Sequence, residues 1–142
     1  MSLSFPRSHQ EAKLEALQNA VVRTALPGLA DENKPQLFLR LIDSYTPLHL
    51  QILNFLNDPL RAYAAAGKSF PNPYASGLFT PLIDLYPEPA SQRPLVDLCV
   101  RNLHMDGMIG VDTLHAMMTE AGLKSPHTTP LGKEFVNFVA EP

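Results

Sequence analysis

The sequence predicts a mainly α fold with a small β-hairpin and an extra N-terminal helix. Two observations lead to this class. Apolar residues recur at intervals of three and four along much of the 142-residue chain, and capping residues or prolines stand where such stretches begin. One short apolar run, at Met108, Ile109 and Val111, suits a strand instead. Hydrophobic residues make up 45% of the chain, which is enough for one globular core.

Two helices are predicted before residue 46. Over residues 8–25 a narrow apolar stripe predicts a strap across the domain or, alternatively, a dimerisation helix. Its members are Leu14, Leu17, Val21 and Ala25. Asp31 is the expected N-cap of a second helix that runs to about Tyr45 and buries a broad face. That face comprises Leu37, Phe38, Leu41, Ile42 and Tyr45. We therefore assign residues 1–45 to an N-terminal helical extension and residues 46–142 to the main domain, within one compact unit.

A capping residue followed directly by proline opens each of the next two helices, at Thr46 and at Asp58. Gly67 is expected to end the second of them. Six prolines within residues 71–94 exclude one long helix there, because proline lacks an amide donor and fixes its own φ. A helix of roughly two to three turns remains over residues 76–86.

The central helix is predicted over about residues 91–106, because its apolar residues follow helical spacing. The side chains expected to face the core are Leu95, Leu98, Cys99 and Leu103. Those expected to face outward are Arg93, Asp97, Arg101 and His104, with Asn102 near the boundary. Gly107 supplies the left-handed conformation that ends the helix.

The predicted β-hairpin begins at Met108, and residues 114–122 fit either a strand or a helix. A polar loop follows, and Thr128 or Thr129 caps the closing helix. The side chains by which that helix is expected to return to the core are Leu131, Phe135, Val136, Phe138 and Val139.

The charge balance disfavours a strong nucleic-acid binder. With 11 basic and 14 acidic residues the net charge is −3, and neither half carries a basic excess. The only cysteine, Cys99, cannot form an intrachain disulfide. The N-terminus shows no signal or transit pattern, and no stretch approaches the roughly 18 apolar residues of a membrane span. These features predict a soluble, cytoplasmic protein that has no membrane partner.

The chemical motifs of common enzymes are missing, so we predict no catalytic residue, no cofactor and no metal. The sequence contains no phosphate-binding loop, dinucleotide fingerprint or nucleophile elbow. Four possible ligands lie close in sequence without the spacing of a zinc motif, which predicts surface or capping roles for them. They are His104, Asp106, Asp112 and His115. We interpret His49 as a partly buried histidine bonded to a carbonyl group, and Cys99 as a buried, inert thiol.

Two segments carry a family resemblance: VRNLHMDGMI (residues 100–109) and TTPLGKEFVNFV (residues 128–139). With the order of helices, hairpin and closing helix, they resemble the winged helix-turn-helix over about residues 46–140. A late leucine, a glycine stop and an apolar strand start recur together in that family, as Leu103, Gly107 and Ile109 do here. The closing helix is also similar to the C-terminal region of uncharacterised bacterial proteins, some grouped with abortive-infection systems.

The resemblance implies that the third helix and the wing loop make the contacts with a partner. The candidate contact residues are Gln92, Arg93, Arg101, Asn102 and Lys124. Asp97 and Asp106 offset the cations of the helix, so nucleic acid is a possible ligand that we do not favour. Our first hypothesis is a non-enzymatic binding module that docks a protein partner or forms a homodimer. It would do so through the N-terminal helix or an exposed face of the third helix. The alternative is a DNA-binding transcriptional regulator of the winged-helix type.

Overall fold

The structure, a computed structural model of the chain, describes residues 9–24, 33–71 and 76–140, which are mainly helical. The first α-helices are α1 (His9–Thr24), α2 (Asn33–Ser44), α3 (Pro47–Asn57) and α4 (Pro59–Ala65). They are followed by α5 (Phe79–Leu85), a 3-10 helix (Glu88–Gln92), α6 (Arg93–Met105), α7 (Glu120–Lys124) and α8 (Pro130–Val139). The predicted mainly α class is confirmed. Two residues used in the predictions, Ala25 and Asp31, lie outside the described residues.

Local signals place the helix ends where the sequence predicts them. The Thr46 hydroxyl accepts the backbone N–H of His49 at the start of α3, and the Asp58 carboxylate accepts that of Arg61 in α4. Gly67 and Gly107 have φ values of 69° and 78°, the left-handed conformation that ends a helix. At α8 the cap is Thr129, one of the two threonines predicted.

The core is built around α3, against which α1, α6 and α8 all pack. Its largest fully buried side chains include Ile52, Phe55, Leu56, Tyr63, Leu103 and Phe135. The Phe135 ring makes edge-on contacts with the rings of Phe38, at 5.2 Å, and Tyr45, at 5.8 Å. Both of these partners precede the predicted boundary after residue 45, which stays a prediction.

The predicted inward stripe of α1 is wrong in register. Leu14 and Val21 are exposed, while Ala16 and Ala20 are buried and Leu17 is half-buried. The reason is steric, because α1 packs against α2, α3 and α8 together, and the small alanines allow its backbone to approach them closely. Two other expected core residues, Leu37 on α2 and Leu131 on α8, are also exposed.

The predicted inward face of α6 is corrected in the same way. Leu95 and Leu98 are exposed, and the residues buried are Val96, Cys99, Val100 and Leu103. This set follows the i, i+3, i+4, i+7 spacing of one helical face. The helix therefore carries two apolar faces, and its packing along α3 selects the one that contains the valines.

The predicted β-hairpin is not formed within the described residues, where pairing is limited to isolated bridges. Ile109 forms one antiparallel bridge with Thr128, and the Gly110 N–H donates to the His127 carbonyl at 2.9 Å. The apolar run after α6 thus pairs with the segment before α8. Residues 110–127, which include α7, form a long connection that is closed at its base, and we call it the long loop.

Residues 114–122 are predicted to be either a strand or a helix. Their first part forms bridge contacts, and their last part is helical. Met118 forms an antiparallel bridge with Ser76, and the Phe79 N–H donates to the Leu114 carbonyl at 3.0 Å. The following residues begin α7. The first part of the segment pairs with the chain before α5 and not with Met108–Val111, so no continuous ladder develops. In the ranges that the structure describes, no helix has the length and apolar character needed to cross a bilayer.

Candidate interaction face

The outward side of α6 carries three large apolar residues. Leu95, Leu98 and Met105 are 47%, 45% and 75% exposed, although the opposite side of the same helix is buried. Their spacing of three and seven residues aligns them along one side of an α-helix. We call these three residues the outer apolar stripe.

Arg101 flanks the outer apolar stripe. It follows Leu98 by three positions and precedes Met105 by four, so its side chain lies beside both of them on the helix surface. Arg101 is exposed, and it forms no hydrogen bond or ion pair with any residue that the structure describes. An available cation therefore borders the stripe.

The N-terminal half of α6 is held by neighbouring side chains. The guanidinium of Arg93 lies 5.6 Å from the centroid of the Phe79 ring, a cation–π distance. One turn later, Asp97 Oδ1 lies 2.7 Å from His115 Nε2, and the imidazole of His115 also packs on Phe79. These contacts tie the long loop to α6, and Arg93 and Asp97 already have partners.

The five predicted contact residues are not brought together as one patch. Gln92 is exposed at the end of the 3-10 helix, beside Arg93. Asn102 is half-buried and bonded to His49, while Lys124 pairs with Glu120 in α7. Lys124 also lies 5.8 Å from the ring of Phe70, far from α6 in sequence. Of the five, Arg101 and Asn102 adjoin the outer apolar stripe, and Arg101 is the exposed one of the two.

A polar cluster joins the start of α3 to α6, and its His49 and Cys99 side chains are buried. The Thr46 backbone N–H donates to His49 Nδ1 at 3.0 Å, so the proton of the neutral ring is on Nε2. That Nε2–H donates to Asn102 Oδ1 at 3.0 Å. The bond confirms the interpretation of His49 as a buried histidine bonded to a carbonyl oxygen, here that of a side-chain amide. Cys99 Sγ lies 3.6 Å from Nδ1.

The chemistry of this cluster favours a structural role. A thiol, an imidazole and an amide in this order could be compared with a catalytic nucleophile, its base and an orienting group. However, Cys99 is 1% exposed, and burial raises the pKa of its thiol, which disfavours the reactive thiolate. His49 Nδ1 already accepts the Thr46 N–H. The sequence analysis missed this cluster because its halves are about 50 residues apart, and the spacing Thr46-x-x-His49, in which histidine replaces the usual capping-box glutamate, is its only local signal.

Two of the four residues considered as metal ligands, Asp106 and His115, form hydrogen bonds within the fold. Asp106 accepts the Tyr45 hydroxyl at 2.7 Å, and His115 pairs with Asp97. Among the described residues, no group of three histidine, cysteine, aspartate or glutamate side chains is placed to hold a metal ion.

Two open grooves lie elsewhere on the surface. One, of about 440 Å³, is lined mainly by apolar residues of α1, α3 and α8. The other, of about 430 Å³, follows α2 beside the turn after α6, and the exposed Leu37 and Leu131 are among its lining residues. Both are mainly apolar.

Comparison with known proteins adds no assignment: no family model, curated protein or solved structure matches this chain. The choice of a candidate site therefore depends on geometry. The outer apolar stripe is exposed on a helix that is held in place, since α6 is packed against α3 and tied to the long loop. Such a face can bind apolar side chains of a partner, and Arg101 can bind an anion beside them.

Proposed function

We propose that this chain is a non-enzymatic binding module of the cytoplasm that docks another protein, or a second copy of itself, through the outer apolar stripe. The observation that carries the proposal is the exposure of Leu95, Leu98 and Met105 on one side of a buried helix. Single exposed apolar residues are common on protein surfaces, but aligned groups of them mark interaction sites.

The position of α6 supports this proposal. It directly precedes the loop of residues 110–127, as the third helix of a winged helix-turn-helix directly precedes the hairpin that forms the wing. We propose a winged-helix-like architecture on this basis. Its base is closed by the bridge between Ile109 and Thr128, and its loop is fixed on α6 by the pair of His115 and Asp97. A docking helix supported in this way loses little conformational entropy on binding.

A DNA-binding regulator is the alternative, and the exposed Arg101 favours it. DNA affinity requires several cations directed at phosphates, however, and apolar side chains contribute little to those contacts. Arg101 is flanked by Leu98 and Met105 on the face that would enter a groove. Protein docking therefore fits this face better than DNA.

Site-specific photo-crosslinking in living cells tests the proposal. A benzophenone amino acid is placed at position 98 and, as a matched control, at the exposed Arg61 position on α4. We expect protein adducts, or covalent dimers of the chain, at position 98 and none of the same species at position 61. Adducts that contain only nucleic acid would favour the alternative. Equal labelling at both positions, or none at 98, would remove the proposal.

A further inference from the structure

We propose that the partner of the outer apolar stripe is an acidic amphipathic helix of a different protein. This inference rests on the proposed function and specifies the chemistry of its ligand. It follows from three properties of the face: its spacing, its small size and the charge beside it.

The spacing matches a helix as the ligand. Leu95, Leu98 and Met105 lie at spacings that recur along a helical seam, with the half-buried Asn102 between them. A partner helix presents anchors at i, i+3 or i+4, and i+7, which can pack between such residues. A flexible or extended segment would gain no comparable match to this line of side chains.

The size of the face favours a small partner element. Three exposed apolar side chains are far fewer than the roughly 20–30 residues per side of a standard interface between two proteins. One short helix can cover the outer apolar stripe completely. A stable dimer of the whole chain would need a much larger surface.

The charge beside the stripe argues against a second copy in antiparallel arrangement. In such a pair, the two α6 helices run antiparallel and are related by a two-fold axis midway between Leu95 and Met105. Their Arg101 residues then lie on the same flank of the paired helices. They are then separated by only about 3 Å along the helix axis. Like charges at this spacing repel, and no described carboxylate of the protomer forms an ion pair with Arg101.

A parallel pairing is disfavoured by the size of the face and not by charge. It would direct Arg101 toward Asp106 of the copy, on the opposite flank of the stripe, whose carboxylate keeps its negative charge while it accepts the Tyr45 hydroxyl at 2.7 Å. A separate helix with a glutamate or aspartate beside its apolar seam supplies an anion for Arg101 and needs no surface beyond the stripe.

The inference is tested with two designed peptides and fluorescence anisotropy on the full chain. Both peptides are amphipathic helices of roughly three heptads with leucine at the seam positions. One carries glutamate at the flanking positions that face Arg101, and the other carries lysine at the same positions. We expect the glutamate peptide to bind about tenfold more tightly than the lysine peptide, and more weakly at high salt. This preference opposes the net charge of −3, which by itself favours the lysine peptide.

Three variants separate the contributions. Arg101→Glu should reverse the peptide preference, and Leu98→Gln should weaken both peptides without changing the melting temperature, because Leu98 is outside the core. Arg61→Glu makes the same charge change on α4 and should leave the preference as it is.

Failure of this inference differs from failure of the proposed function. If both peptides bind equally and depend on Leu98, the acidic partner is wrong while docking through the stripe stands. If neither binds and the chain self-associates through Leu98, the partner is a second copy. If neither peptide binds and no association depends on Leu98, both proposals are wrong.

Discussion

At the residue scale, Gly132 allows the first turn of α8 to pack closely against the turn after α6. Gly132 is buried in the first turn of α8, and its N–H donates to the Thr129 hydroxyl at 2.9 Å. A Cβ built at this position falls on the carbonyl group of Met108. The absence of a side chain therefore lets the first turn of α8 lie directly on the turn after α6.

Gly132→Ala should destabilise the fold by about 1–3 kcal/mol, because the methyl group meets backbone atoms that cannot rotate away. Gly110→Ala is the matched control, since the nearest atom to its added Cβ is 4.0 Å away. Urea unfolding of both variants measures the difference. A Gly132→Ala protein as stable as the control would contradict the close contact with Met108.

Protonation of His127 makes the free energy of unfolding depend on pH. Burial lowers the pKa of its imidazole, and its hydrogen bond to the Gly122 carbonyl opposes that shift in part. Between the lowered folded pKa and the unfolded value of about 6.5, the unfolded chain binds more protons at this position than the folded one. Acidification through this range therefore favours unfolding.

The free energy of unfolding should fall less steeply in His127→Gln than in the natural chain as the pH is lowered from about 7.5 to about 5. Glutamine can still donate to the Gly122 carbonyl but cannot take up a proton. Urea titrations at several pH values provide the comparison, with His104→Gln, a change of an exposed histidine, as the control. Parallel curves for His127→Gln and the natural chain would show that His127 does not contribute.

At the element scale, the orientation of α6 determines both the core and the candidate interaction face. Two apolar faces run along this helix, one with Val96 and Val100 and the other with Leu95 and Leu98. Burying the first against α3 leaves the second exposed. The outer apolar stripe is thus a direct consequence of how α6 packs.

A pair of leucines on α6 tests this orientation. Leu103 is fully buried, so Leu103→Ala should cost about 2–5 kcal/mol through lost burial and a residual cavity. Leu98→Ala should change stability by less than about 0.5 kcal/mol. Chemical unfolding of the two variants gives both values. Similar losses would mean that Leu98 is also part of the core, as the periodicity alone had predicted.

At the scale of the whole molecule, the N-terminal helices share the core of the remainder. The Phe38 and Tyr45 rings pack edge-on against Phe135, and Ala20 of α1 belongs to the same buried cluster. Removing these elements would expose the Phe135 face of α8 to water. Burial of large aromatic side chains such as these is a main source of stability in a domain of this size.

A fragment of residues 46–142 should therefore lack the cooperative unfolding transition of the full chain. Heat denaturation followed by circular dichroism, together with the dispersion of amide signals in an NMR spectrum, distinguishes the two states. Phe38→Ala in the full chain is the milder comparison and should lose about 3–5 kcal/mol. A fragment that melts like the full chain would establish residues 1–45 as a separable extension.

Much of the candidate site can be located from sequence, but its exposed surface cannot. Helical spacing and Gly107 identify α6, and Arg101 is predicted outward, as it is found. Leu98 is predicted inward because three-four periodicity fits either apolar face of this helix. The bond between His49 and Asn102 also escapes prediction, since it joins residues far apart in the chain.

The sequence by itself determined the mainly α class, the caps at Thr46 and Asp58, a closing cap at Thr128 or Thr129, and the glycine stops, because these depend on hydrogen bonds and backbone angles within a few residues. Only the tertiary structure decided which faces of α1 and α6 are buried and that Ile109 pairs with Thr128. Those choices depend on how helices that are distant in sequence fit against one another. The candidate interaction face of α6 is the apolar side that stays exposed once the other side of the helix is buried against α3.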